Sequence, residues 1–189
     1  MQNRIQIYDL ELNYDISYRP VKYPRLEFKT GSLLLILPKN YKNEKKLLEN
    51  YKDWIYKKHH EILSAFEASK SKSLITDRSL EELKEMANQF IKDNVSNLNL
   101  KINKVCFKRL KSKWASCSSS RNLTINTILQ YLPKQLIEYV LYHEIVHLLE
   151  RKHNKEFWKI IGKKFKDYSK KEKELFVYWF LAQQKLNSL

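Results

Sequence analysis

A pair of histidines four residues apart, His143 and His147, constrains this 189-residue chain more than any other stretch of it. At 3.6 residues per turn the step between them is about 400°, so on a helix both imidazoles leave one face about one turn apart. Two such rings can grip one metal ion. Glu144 sits about 100° round from His143, close enough to reach a water on that ion without ligating it. The neighbourhood favours a helix on separate grounds. Pro133 stands where a first turn would begin, and Leu136, Tyr139, Val140, Val146 and Leu149 recur at helical spacing.

A hydrolytic zinc site takes three protein ligands and keeps a further position for water or substrate. His153 is the candidate third ligand. It lies six residues past His147, which on an unbroken helix would aim it at the wrong side, so the helix is expected to end near Glu150 and turn back. Arg151 and Lys152 suit the negative end of a helix, and Asn154 can cap a new one. No glycine marks this turn, which predicts a left-handed residue somewhere in 150–152. Glu150, on the histidine face if the helix continues, and the more distant Glu172 and Glu174 are competing ligands. Glu144 and His147 also form one ExxH half of a di-iron site. The second half is missing, since Tyr56 and Lys57 stand where His59 and His60 would need glutamates.

Further motifs surround the pair: Lys113-Trp114-Ala115-Ser116-Cys117-Ser118, Asn122-Leu123-Thr124-Ile125-Asn126, Pro133, Tyr139-Val140 and Phe157-Trp158. In this order, with the three histidines, they resemble YgjP-like metallopeptidase domains, which are related to the SprT and WLM zincins. The resemblance is strongest over residues 109–168. It implies a small zincin-like lobe, zinc on His143, His147 and His153, and Glu144 as the catalytic glutamate. The chain departs from the family pattern in two places. Lys113 and Ala115 replace the arginine and glycine of the family's RWGSC, and Thr127 and Ile128 replace a tryptophan and arginine. These changes bear on the substrate groove rather than on the metal residues.

Local patterns outline the rest of an α+β protein. Residues 5–12, 16–23, 26–29 and 33–37 read as short strands and predict an antiparallel N-terminal sheet. A long amphipathic segment spans residues 43–69, with Tyr51, Trp54, Ile55, Ile62 and Phe66 on its apolar face and solvated His59 and His60. Ser79 and Glu82 form a capping box that opens a second helix. Strands are expected to resume at 101–110 and 123–126, the latter as a sheet edge to which an extended peptide could add. The expected organisation is residues 1–100, strands and two long helices, and residues 101–189, the metal lobe with its C-terminal helix, the two together forming one compact unit. With 2 glycines and 4 prolines the chain is expected to be well structured and rather helical.

Composition narrows the setting. The longest apolar runs, residues 33–37 and 175–182, fall well short of the ~20 residues that span a membrane. The N-terminus shows no secretory pattern, so cytoplasmic residence is the expectation, with Cys106 and Cys117 reduced and buried. Lys and Arg total 36 against 21 acidic residues, +15, and residues 101–189 carry 19 basic against 7 acidic. Between residues 101 and 121 lie Lys101, Lys104, Lys108, Arg109, Lys111, Lys113 and Arg121 with no acidic residue, interleaved with Phe107 and Trp114. Cations with aromatics can grip phosphates and stack on bases, and the SprT relatives include proteases acting on DNA-bound protein, so nucleic acid is a candidate partner beside a protein or peptide substrate. The expected function is zinc-dependent peptide hydrolysis by glutamate-assisted attack of a zinc-bound water. Tyr139 and Tyr142 are candidate transition-state donors. The alternative is a non-catalytic zinc-containing binding protein, associated with nucleic acid.

Overall fold

The computed structural model describes residues 3–29 and 32–187. It is an α+β protein with two sheets and six α-helices among the described residues, divided into two compact units, 1–68 and 69–189.

The first unit is a four-stranded sheet with two helices. Its strands are β1 (Asn3–Ile7), β2 (Leu10–Arg19), β3 (Arg25–Lys29) and β4 (Ser32–Pro38), in the order β1-β2-β4-β3. The expected antiparallel sheet is instead mixed. β4 inserts between β2 and β3 and runs parallel to β2, pairing Tyr14 with Leu33 through Arg19 with Pro38. Its composition explains this place: Leu33, Leu35 and Leu37 are fully buried and Ile36 nearly so, the near-continuous apolar run of a strand covered on both faces. Strand periodicity identifies such a segment but carries no information about its neighbours. The β1–β2 turn falls at Tyr8 and Asp9, earlier than residues 13–15, with Tyr8 at φ 54°. α1 (Glu44–Asn50) and α2 (Lys52–Ser69) divide at Tyr51 the single long helix expected there. Leu47, Leu48 and Ile55 join Ile7, Leu12 and the β4 leucines in this unit's core. His59 is half-buried, its ring tilted 6.4 Å from Phe28, whereas His60 is exposed.

The second unit begins with α3 (Leu80–Asn97). The Ser79 hydroxyl accepts from the Glu82 N–H at 3.1 Å, while the Ser79 N–H donates to the Glu82 carboxylate at 2.6 Å, the reciprocal box expected from the sequence. Leu83, Ala87 and Ile91 bury one face of α3 in the core shared with β7 and α4, so this helix packs with residues beyond 100. A three-stranded sheet follows: β5 (Lys104–Lys108), β6 (Ala115–Cys117) and β7 (Asn122–Asn126), in the order β5-β7-β6. The strand expected at the edge, residues 123–126, is therefore central, and the edge belongs to the short β6. A 3₁₀ turn (Thr127–Tyr131) leads to α4 (Lys134–Val146), then α5 (Lys155–Lys164) and α6 (Tyr168–Asn187). Leu175, Tyr178 and Ala182 bury one side of α6, the apolar run expected to dock a C-terminal helix. No described helix is long and apolar enough to cross a membrane. Cys106 and Cys117 are free thiols, half-buried rather than buried.

Asn126 ties this sheet to the loop before β6. Wholly buried, it accepts from the Ile128 N–H at 3.3 Å and donates through Nδ2 to the Leu110 carbonyl at 2.9 Å and the Lys113 carbonyl at 2.7 Å. Both amide hydrogens are thus used, and the loop carrying Ser112, Lys113 and Trp114 is pinned from below.

Candidate metal centre

α4 ends one turn sooner than the sequence suggests. His147 is its C-cap, and the N–H groups of Leu148, Leu149 and Glu150 fold back onto the carbonyls of Ile145 and Val146 at 2.9–3.0 Å. The next residues reverse the chain through side-chain bonds. The Glu150 carboxylate accepts from the Lys152 N–H at 3.1 Å, and the Asn154 side chain accepts from the Phe157 N–H at 3.0 Å to open α5. Bonds from the Lys152 N–H, the Asn154 side chain and the Arg151 N–H hold the Glu150 carboxyl below its usual proton affinity. No left-handed residue is needed at 150–152. Among the described residues, the non-glycine residues with positive φ are Tyr8, Asn99 and Arg121.

The reversal places His153 over the helix end. Its Nε2 lies 2.9 Å from the Nε2 of His143 and 3.0 Å from the Nε2 of His147. The other nitrogens fix which atoms are free. His147 Nδ1 stands 3.1 Å from the Glu150 carbonyl, an acceptor, so Nδ1 carries the proton and Nε2 presents a lone pair. His143 Nδ1 faces the Glu172 carboxylate at 3.7 Å, an ion-pair distance, which favours the same tautomer. Two lone pairs therefore point at a common centre with His153, and a single proton on His153 could satisfy only one of them. A cation satisfies all three. Tetrahedral zinc with Zn–N distances of about 2.0–2.1 Å spaces its nitrogens roughly 3.3 Å apart, within a few tenths of an ångström of what is seen. Donor type, number and spacing fit that ion.

Phe157 forms the floor. Fully buried, its ring centroid lies 4.9 Å from that of His143, 4.8 Å from His147 and 4.7 Å from His153. Trp158 donates its indole N–H to the His153 carbonyl at 3.2 Å and stacks on Tyr168 at 5.1 Å, steadying the turn from the other side.

Electrostatics follow from the burial. The His143 imidazole is pushed down to about 3, first by burial and then by its two histidine neighbours, and burial likewise lowers His147. The His143 and His147 rings are thus neutral, the form that binds metal. Glu144 is pushed up to about 7 by burial, opposed by a hydrogen bond from the Cys117 N–H and by the Lys113 charge. A carboxyl poised near neutrality can both take and return a proton.

One consequence concerns stability. Below the ordinary histidine value of about 6.5 the unfolded chain takes up a proton that folded His143 refuses down to about 3. Stability contributed by this group is therefore complete above pH 6.5 and falls by ~1.4 kcal/mol per pH unit below it, ending near the folded value. Folded Glu144, raised to about 7, takes up a proton over the same range and offsets the decline, so it should be read in urea titrations of metal-stripped Glu144→Gln protein between pH 7 and 4. A flat profile would show that His143 is not held neutral.

The competing ligands are occupied elsewhere. Glu150 holds the turn, and Glu174 pairs with Lys72 at 3.7 Å. Glu172, reached from α6, backs His143 and accepts from the Tyr139 hydroxyl at 2.5 Å. Burial, and after it that bond, raise Tyr139's affinity for its proton. Tyr139 is thereby committed to Glu172 rather than to substrate, and Tyr142 is buried edge-on against Phe165, so neither serves as the expected transition-state donor. The Tyr139–Glu172–His143 chain escapes sequence reading because α6 starts 25 residues after His143 and contributes its carboxylate by packing alone. Glu172→Ala should weaken zinc binding 10- to 100-fold by competition with a chelating dye, with Tyr139→Phe weaker in effect. Unchanged affinity in both would remove Glu172 from the site.

The triad opens into a cavity of about 760 Å³ lined by β6, the preceding loop, α4 and α6. All seven cations of residues 101–121 are exposed. The two aromatics among them turn inward: Phe107 packs on the core, and Trp114 lines the cavity edge-on to Trp179 at 4.9 Å.

Comparison with known proteins gives one family. The profile described as YgjP-like, metallopeptidase domain, matches residues 27–177. No curated protein matches the chain. Among solved structures, similarity is found to the metallopeptidase zymogen of Pyrococcus abyssi abylysin, at 24% identity and TM-score 0.41, covering 47% of this chain and 88% of that one. It is found also to the metallopeptidase zymogen of Methanocaldococcus jannaschii jannalysin, at 25% identity and TM-score 0.42, covering 52% of this chain and 96% of that one.

Proposed function

The chain belongs to the YgjP-like metallopeptidase family, and on that premise we propose a zinc peptidase in which His143, His147 and His153 hold the ion and Glu144 is the general base. The observation that carries this reading is the convergence of the His143 and His147 Nε2 atoms on that of His153, at 2.9 and 3.0 Å, with two tautomers favoured by Glu150 and Glu172. When bound, zinc supplies Lewis acidity, lowering the pKa of water and stabilising charge that develops on the substrate carbonyl oxygen.

The chain's own groups do the rest. Glu144 takes a proton from the attacking water as the new C–O bond forms, then delivers it to the amine as the C–N bond breaks. The Cys117 N–H holds one side of that carboxylate, so its aim is set by β6. In the β6–β7 ladder, Ser118 donates to Asn122 at 2.9 Å and Asn126 to Trp114 at 2.9 Å. Antiparallel alternation then turns the peptide groups of Ala115 and Cys117 away from β7, towards the site. An extended substrate laid along this edge would bond to Ala115 and bring one carbonyl to the histidines. The β-addition first assigned to residues 123–126 thus passes to β6.

The alternative of a non-catalytic zinc protein leaves Glu144 without a use, since a closed structural site takes a fourth protein ligand instead of a recessed base. Chelation is the direct test: peptide hydrolysis should disappear on treatment with 1,10-phenanthroline and return on adding zinc. Hydrolysis indifferent to chelation would end the proposal.

A further inference from the structure

We infer that this site selects peptides with a large apolar or aromatic side chain next to the scissile bond, and that α6 is the element that chooses it. The inference rests on the peptidase reading and deepens it. Glu172, Leu175, Phe176 and Trp179 stand at i, i+3, i+4 and i+7 on α6, one stripe of a helix, and all four line the cavity that contains the histidine triad and Glu144. At 1.5 Å per residue this stripe is about 10 Å long, the reach of roughly three residues of extended chain.

Polarity changes along that length. At one end Glu172 stands beside His143. At the other, Trp179 meets Trp114 edge-on at 4.9 Å, with Leu175, Phe176 and Val140 completing the wall. These five residues bring no titratable group and no carboxylate or amide side chain. A substrate carboxylate or amide entering there would lose water and find on this wall at most the two indole N–H groups to replace it, the cations of the cavity, Lys113 and Arg151, being outside these five residues, whereas a phenyl ring would bury its surface against aromatic edges. The space, about 760 Å³, is in the range that holds a ligand of several residues, so one bulky side chain fits beside the backbone on β6. The inward turn of Trp114, held by the Asn126 bond to the neighbouring Lys113 carbonyl, keeps this wall in place.

The test uses a peptide series identical except at one position flanking the cleaved bond, with Phe, Leu, Gly or Glu there. Binding is measured by calorimetry to zinc-loaded Glu144→Gln protein, in which turnover is silenced, and cleavage is measured with the wild type. Phe and Leu peptides should bind roughly 10- to 100-fold more tightly than Gly and Glu peptides. Trp179→Ala should shrink that ratio towards one, and Trp179→Phe should restore most of it. Equal affinity across the series on the unmutated groove, or a preference for Glu, overturns the inference whether or not the Trp179 variants fold. The two readings separate cleanly: wild-type cleavage without side-chain preference defeats the inference alone, and preferential binding of Phe with no cleavage defeats the peptidase reading while upholding the groove.

Discussion

Glu144→Gln is expected to slow peptide hydrolysis 10²- to 10⁴-fold while zinc affinity stays within about twofold, because the side chain removed serves the proton and not the ion. Three arrangements support so one-sided an outcome. Glu144 lies on α4 between the two ligand turns, yet the histidine cluster that can hold a metal is complete without it. Its carboxyl is raised to about 7 by burial, where proton exchange with water and amine is well matched. The Cys117 N–H that aims the carboxylate can bond the amide oxygen of glutamine equally well, so the fold around it is preserved. Metal analysis and steady-state kinetics on the same preparation decide the matter. A variant that loses zinc together with activity would mean that Glu144 helps hold the ion. One that keeps full activity would leave the reaction without its proposed base.

The second large effect is structural. Phe157→Ala should destabilise the protein by ~3–5 kcal/mol, the usual cost of emptying a fully buried aromatic site. It should also weaken zinc binding, since the ring lies within 4.7–4.9 Å of all three imidazoles and is the surface on which they are seated. Phe157→Leu retains most of the volume, and an intermediate loss is expected. Urea unfolding with and without zinc measures both quantities. A metal contribution to stability that is unchanged in Phe157→Ala would show that the floor packs the core without ordering the ligands.

The elements most legible in the sequence were those whose cause is local. Ser79 and Glu82 announce α3 because a capping box is made by two side chains three residues apart, and Asn154 announces α5 for a similar reason. The histidine spacing itself marks one face of α4. What the sequence hides is settled by partners far along the chain. β4 finds β2 in parallel because its leucines need cover on both faces, a competition among strands that no one strand records. β6 is three residues long and has no period to detect, yet it supplies the edge of the site. Glu172 reads in the sequence as a distant candidate ligand, and that it backs His143 instead follows only once α6 is packed beside that residue. The turn at 150–153 was misjudged in a different way. A backbone solution with a left-handed residue was expected, whereas Glu150 and Asn154 solve it with their side chains.

The bond from Asn126 to the Leu110 and Lys113 carbonyls, and the packing of α6, lie outside the short run from His143 to Trp158 that holds the ligands, the base, the turn and the aromatic floor. On the proposed reading, most of the chemistry and most of the recognition are therefore encoded in separate stretches of the chain, with Glu172 shared between them. Substitutions in α6 other than at Glu172, or in the loop before β6, are expected to retune what is accepted while leaving the means of cutting intact. For an engineer the same separation marks Glu172 and the sixteen residues 143–158 to hold fixed, and the apolar face of α6 to randomise.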